Sequence, residues 1–528
     1  GAGNTAMGAD SLVANTTGAN NTAIGLDTLK ANTTGLESVA LGTSALASQT
    51  TDQGNVALGF EALTTHTTSD GGFNVAIGWK ALDASTDGHS NIGIGKNALG
   101  TLTTADNNTA VGTNALAANT TGTQNTAVGV NSGDAITTGN YNVAMGVGSL
   151  SALTTGSENV AIGVSAMTNS TTCSNNVAIG GQALQECTTG GDNVAIGHNA
   201  LDANTTGTNN TAVGKGAATS LTTGNDNTAI GQEALFTATT PDKNTAVGFQ
   251  AGYSTTTGNS NIAVGHNSLF GNTTGSDNVA VGRDALQGNT TADSNTAIGH
   301  SALSANTTGA SNTAIGGNAL DANTTGGSNV AVGKDALTAN TTAAGNIGIG
   351  VGAMRATTTG AENTAAGDGT MAANTTGATN SAFGSQTLAA CTSGGSNTAI
   401  GGYALNDSTT GFNNTAVGLN AGASLTTANS SVFLGYGAGN TTTTGTNNIC
   451  IGENARASAA TTHNEISMGD EAVGKGQSTG FISPGGGGVY QGNNASTWST
   501  TSDERIKKNI IDNNIGLEVI KDIRVRNF

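Results

Sequence analysis

Residues able to do chemistry are sparse in this chain. Its four cysteines, Cys173, Cys187, Cys391 and Cys450, form no CxxC pair and are scattered over a repeat described below. The spacing reads as small buried thiols, and supports neither a metal site nor a disulfide framework. The six histidines, His66, His89, His198, His266, His300 and His463, show no HExxH or other paired spacing. Most Asp and Glu fall in turns or just after a recurring glycine, as Asp335 and Glu233 do, and read as solubilising surface. One cluster differs: Ser502-Asp503-Glu504-Arg505-Ile506-Lys507-Lys508. A serine hydroxyl is a weak nucleophile and needs a base; a lysine amine serves when burial or nearby cations, here Arg505 and Lys508, lower its pKa. By spacing alone the pair is weak evidence, and a solvated Lys507 on a polar turn is the default reading. No metabolic enzyme and no cofactor is expected.

Bulk composition narrows the classes further. The formal net charge is −18, so a basic stripe for phosphates is missing and nucleic-acid binding is not expected. No apolar run is long enough to span a bilayer as a helix, and no membrane insertion is expected. The opening Gly1-Ala2-Gly3-Asn4 does not read as a signal peptide. It begins inside the repeat, which suggests an excised piece or missing upstream sequence. With 81 Gly, 2 Pro, 3% aromatic and 9% charged residues, the chain lacks the large side chains that fill an ordinary globule.

The elements that must position these residues come from one periodicity. Glycines ending the motif Asn-x-Ala-Ile-Gly stand at Gly8, Gly25, Gly42 and Gly59, then at Gly78, Gly95, Gly112 and onward to Gly435, Gly452 and Gly469. The step is 17 residues except for one of 19, from Gly59 to Gly78, which makes 28 coils. We number each coil from its glycine as zero. Position −4 is Asn except at Ser38, Ser431 and Glu465; −3 is Val, Thr or Ile except at Ser381; −2 is nearly always Ala; −1 is usually Ile, Val, Leu or Met. Positions +3 and +4 are often Ala-Leu, and +8 is Thr in every coil from Thr16 to Thr443.

Residues −4 to 0 read as a short strand, because β-branched side chains favour extended backbone. Alternation places −3 and −1 on one face and −2 on the other. The large pair is expected to point inward, with Leu at +4 closing the core. The alanines are expected to form an outward methyl strip that packs against copies of the chain. Glycines at 0 and +10 fit turns with unusual backbone angles. Stacked coils would align Asn at −4 and Thr at +8 in ladders along the fibre. The fold class expected is all-β, a parallel β-solenoid (β-roll) of 28 coils, on the order of 130 Å long at the spacing of paired strands.

The motif Asn-Thr/Val-Ala-Ile-Gly followed by Ala resembles the head repeat of trimeric autotransporter adhesins, a repeat type also found in phage tail fibres. The resemblance covers roughly residues 1–475, although the adhesin coil is typically shorter than this one. It implies a left-handed β-roll assembled as a homotrimer.

After Gly469 the phase fails. Residues 476–501, with Ser483-Pro484-Gly485-Gly486-Gly487-Gly488, read as a Gly-rich linker and transition. From Ser502 to Phe528 basic residues cluster, and Ile515-Gly516-Leu517-Glu518-Val519-Ile520-Lys521-Asp522-Ile523 has the spacing of a short amphipathic helix. Ser-Asp-x-Arg-x-Lys-x-Asn-Ile resembles the opening of the endosialidase-type intramolecular chaperone of phage tail spikes and fibres. That resemblance implies a domain that assists trimer folding and then cuts itself off, with Ser502 and Lys507 as the catalytic pair and the cut between Ser502 and Asp503. It runs out at Phe528, early in that domain.

The function expected is therefore an extracellular structural and adhesive fibre. The first reading is a virion tail fibre that attaches to a host-surface receptor, glycan or protein. The alternative is a bacterial surface adhesin of the trimeric autotransporter type. Phe73, Trp79 and Trp498, near the two breaks in the repeat, are the residues able to stack on a sugar ring.

Overall fold

The structure, a computed structural model, describes residues 1–67, 72–484, 487–492 and 499–500. It divides into two compact units, Gly1–Lys334 and Asp335–Phe528. The first holds twenty three-residue strands, β1 (Thr5–Met7) to β20 (Val330–Val332). The second holds eight more, β21 (Ile347–Ile349) to β28 (Ile466–Met468), followed by β29 (Gly480–Ile482), β30 (Val489–Gln491) and β31 (Ser499–Thr500). The chain is a parallel β-solenoid; within each unit successive coil strands pair in register at equivalent residues, as Thr5↔Thr22 and Ala161↔Ala178 do in the first and Thr398↔Thr415 does in the second. The two extra residues before Gly78 leave this register intact: Val56 still faces Val75. The 17-residue rhythm ends after β28, where Ile466 pairs with Gly480. Beyond it β30 runs antiparallel to β29, and the Ser483–Gly488 stretch lies between them.

Strand alternation is as the sequence implies, but its sense is the reverse. The alanines at −2 point inward: Ala23, Ala161 and Ala314 are fully buried. The residues at −3 and −1 point outward, and Ile196 and Ile315 are 37% and 39% exposed. The expected inward aliphatic pair and outward methyl strip are thus both corrected. The reason is the narrowness of the coil. Leu at +4 reaches across the interior and meets the −2 position of the next coil directly. At Gly93, where −2 lacks a methyl, an added Cβ would already lie 3.3 Å from Leu82 Cγ. A second row of large side chains has no room there.

Those leucines carry a backbone penalty. Leu29, Leu99 and Leu320 have φ of 46°, 53° and 53°, a left-handed conformation that costs an L-residue about 1–2 kcal/mol. Full burial of a leucine returns about 1.5–3 kcal/mol, so the exchange is favourable in each coil. The glycine at zero is required on two counts. Gly214 has φ +135°, and a Cβ on it would lie 2.5 Å from the carbonyl oxygen of Gly231 in the next coil. The glycines at +10 differ from the sequence reading. Gly18, Gly122 and Gly207 have no positive φ, and Ala105, Cys173, Pro241 and Ala292 occupy the same column.

Both ladders form. In the Asn column, the backbone N–H and Nδ2 of Asn108 donate to Asn91 Oδ1 at 2.9 and 3.2 Å, and Nδ2 also donates to the Gly122 carbonyl at 3.0 Å. Each such bond is worth about 1 kcal/mol net, whereas leaving the buried amide unpaired would cost about 1–3 kcal/mol. Ser38 and Ser431 keep the column by accepting through Oγ from Asn55 and Asn448. Glu465 ends it: its carboxylate accepts from Ser458 N (2.8 Å), Ser458 Oγ (3.0 Å) and Gly476 N (2.7 Å). In the Thr column the hydroxyls donate to the carbonyl of the next threonine, as Thr188 does to Thr205 at 3.0 Å, and the column ends where Thr443 donates to Ala460 O at 3.3 Å.

One coil reverses its core sizes. Phe433 takes the −2 position and is fully buried. Glycine replaces leucine at +4 on both sides of it. A Cβ on Gly422 would lie 2.7 Å from the Phe433 ring and one on Gly439 2.1 Å from it. Leucine adopts the same left-handed backbone elsewhere, so the clash alone excludes it here. Gly439→Leu is expected to lower stability by about 3 kcal/mol, and a Phe433→Ala background should recover about 2 kcal/mol of that loss through coupling. Denaturant unfolding of the two single variants and the double variant measures the coupling; additive losses would contradict this packing.

Candidate interaction surface

The reversed strand sense puts the large aliphatic residues on the outside. Position −1 is Ile, Val, Leu or Met in all twenty coils of the first unit, from Met7 to Val332. In the second unit it runs from Ile349 to Met468 with Ala366 the small exception and Phe383 the aromatic one. No charged residue occurs at −3 or −1 in any coil. The exposed members include Leu41, Met145, Ile230 and Ile298 in the first unit and Phe383, Ile400 and Leu434 in the second. A side chain of this size shows on the order of 100 Å² when fully exposed. One-third exposure of the twenty side chains at −1 and the eleven Val or Ile at −3 gives at most on the order of 1,000 Å² for the first unit. That exceeds the roughly 300–600 Å² of the largest apolar patch on a typical monomer. It also reaches the roughly 800 Å² per partner of a standard stable interface.

The threonine column presents no comparable surface. Its hydroxyls are committed to carbonyls of the next coil, as Thr16 Oγ1 is to Thr33 O at 2.9 Å. A flat array of free hydroxyls does not exist there.

Next to the two-residue insertion, Phe73 and Trp79 are exposed at 58% and 46%. Neither belongs to the core. The Phe73 ring covers Gly54, where an added Cβ would lie 2.7 Å from it. Lys80 and Lys96 each place their Nζ 5.3 Å from the Trp79 ring centroid. Lys80 also pairs with Glu61 at 3.0 Å. The exposed ring is thus flanked by two cations, one of them already paired with carboxylates. A second aromatic group lies in the +5 column, where Phe236, Tyr253 and Phe270 stack with centroids 5.2 and 5.0 Å apart. Their faces cover one another, which leaves mainly edges to the outside.

Close to the insertion in sequence lies a buried histidine–carboxylate contact. His66 Nε2 is 2.5 Å from Asp52 Oδ2, and both side chains are fully buried. Asp52 also accepts from Asn55 Nδ2 at 2.8 Å and from Gln53 N at 2.8 Å. Burial pushes the Asp52 carboxyl up, but hydrogen bonds from His66, Asn55 and the Gln53 amide outweigh it and hold the group below its ordinary value. A depressed carboxyl contributes stability above its unfolded pKa and loses it as pH falls through the folded value. Coils around the insertion should therefore loosen below about pH 4, and Asp52→Asn should remove that acid sensitivity locally. His66→Ala, which strands the carboxylate, should cost about 3 kcal/mol at neutral pH. Amide exchange of residues 50–78 against pH measures both; an unchanged profile in Asp52→Asn would exclude the pair as its origin.

Among the described residues, no three or more His, Cys, Asp or Glu side chains come together to hold a metal ion, and no helix is long and apolar enough to cross a membrane. Ser502, Lys507 and Trp498 lie outside the described residues. The structure brings together two residues that sequence spacing left apart: Cys173, at +10 of its coil, and Cys187, at +7 of the next, are both buried, with Cys173 Sγ 3.7 Å from the Cys187 carbonyl oxygen. The signal that could have found them is the column arithmetic, because a separation of 14 residues joins the same two positions as Asp52 and His66. Comparison with protein-family models, curated proteins and solved structures yields no match to this chain.

Proposed function

We propose that this chain is the shaft of an extracellular adhesive fibre, assembled from copies of itself along the outward aliphatic columns and used for attachment to a host cell. The observation that carries this reading is the charge-free ridge at −3 and −1, repeated coil after coil over a core already closed by alanine and leucine. A surface of that extent is costly in water and cheap against a partner of the same period. The resemblance to adhesin heads and tail fibres sets three as the number of copies proposed. The exposed Trp79 with Lys80 and Lys96 is the proposed receptor contact.

Charge on the ridge tests assembly. Ile162→Glu, Ile179→Glu and Ile196→Glu together place three carboxylates on successive coils. The unaltered chain should sediment at three times the monomer mass and the triple variant at the monomer mass, with the same β-sheet circular dichroism. A monomeric unaltered chain would overturn the reading.

The C-terminal resemblance separates a tail fibre from a surface adhesin. We propose that Ser502 and Lys507 carry out a single autocleavage before Asp503. Intact mass of the complete gene product, compared with Ser502→Ala, should show a mature chain ending at Ser502 only when the serine is present. If both chains stay whole, the autotransporter-type adhesin becomes the better reading.

A further inference from the structure

The columns at +10 of one coil and +7 of the next converge inside the solenoid. Asp52 and His66 show it directly, with their side chains in contact at 2.5 Å. Cys173 and Cys187 occupy the same two positions, seven coils further on from Asp52 by zero glycines at Gly163 and Gly180 against Gly42 and Gly59. Both thiols are free and buried. Cys187 Sγ points to the Gly190 carbonyl at 3.2 Å, and Cys173 Sγ lies against the Cys187 backbone at 3.7 Å. The other two cysteines have no such neighbour: Cys391 turns to Gly394 O at 3.5 Å, and Cys450 lies at a −2 position.

We propose that Cys173 and Cys187 form a covalent staple, a disulfide joining two successive coils, when the chain folds in an oxidising medium with a low-molecular-weight disulfide as the electron acceptor. The chemistry runs in two exchanges. The Cys173 thiolate attacks one sulfur of the small disulfide, expels a thiolate and becomes a mixed disulfide. The Cys187 thiol then gives up its proton, its sulfur attacks Cys173 Sγ, and the second small thiolate leaves. The protein loses two protons and two electrons, and the acceptor becomes two thiols. In the closed fold the Cys173 thiol is held below its ordinary value by the Cys187 and Ser170 side chains against the effect of burial, whereas Cys187 is pushed up by Cys173 and by burial. Both sulfurs are sealed in the finished fold, so exchange takes place as the coils close on one another. The staple does not depend on the fibre reading.

The test is refolding of the complete chain from denaturant in mixed reduced and oxidised glutathione. Free thiols are then alkylated under denaturing conditions and the chain is cleaved after Glu186, which separates the two cysteines. The expected result is alkylation of Cys391 and Cys450 alone, with Cys173 and Cys187 in one linked pair of peptides about 2 Da lighter than their reduced sum. In Cys187→Ser, Cys173 should become alkylated or carry glutathione. Serine occurs naturally at +7 in Ser85, Ser170 and Ser408, so that variant retains the coil. Four alkylated thiols in the refolded unaltered chain would overturn the proposal, as would linkage of Cys173 to Cys391 or Cys450 at equal yield.

Discussion

Everything in this fold depends on how closely the backbones of successive coils approach at the zero column. Each glycine there sits with its Cα against the carbonyl of the next, close enough that an added Cβ on Gly163 would lie 2.5 Å from Gly180 O. That approach sets the parallel register, and the register aligns every other column. Once identical positions are stacked, an asparagine amide finds the next asparagine, and a threonine hydroxyl finds the next threonine carbonyl. A polar residue can therefore be buried in nearly every coil with most of its amide groups paired, Asn295 Nδ2 and the Asn204 amide being exceptions. The interior is consequently a layered mixture of Asn, Ala and Leu, where a globule of this length would rely on aromatic and branched aliphatic packing.

The same closeness explains the inverted strand. A coil with several left-handed residues turns tightly and leaves a thin interior. Methyl groups and, in most coils, one leucine or methionine fill it, and the larger aliphatic residues of the strand are left outside. The hydrophobic effect that would bury them within a single chain is therefore available for association. Core economy and surface stickiness have one geometric cause.

The period, the strand position, the Asn and Thr columns and the place of the insertion were legible in the sequence, because each depends only on spacing and residue type. The direction in which Ile196 and Ala195 point was not. Residue size suggests that isoleucine goes inside, and only the width of the coil decides otherwise. The left-handed leucines escaped for a similar reason, since Leu320 carries no sign in its chemistry that it will adopt φ near +53°. The Cys173–Cys187 neighbourhood was hidden because proximity across coils depends on the path of the turn between +7 and +10. The two lysines beside Trp79 were legible too, since Lys80 is its neighbour in sequence and Lys96 lies 17 residues on in the same column, whereas the exposure of the ring was not.

The exchange of sizes at Phe433 bears on how such a chain can change its length over evolutionary time. Where every coil has the same core, removing or duplicating 17 residues by slippage of the gene joins one register to an identical one, and the product folds as before. Coils of that kind are interchangeable parts. The stretch from Gly422 to Gly439 is not, because its phenylalanine needs the glycine on each side. A deletion ending inside it would set the ring against a leucine. Shaft length can therefore drift across the uniform coils, while the boundary near Phe433 is inherited as a block that keeps the chain's end in a set order behind it.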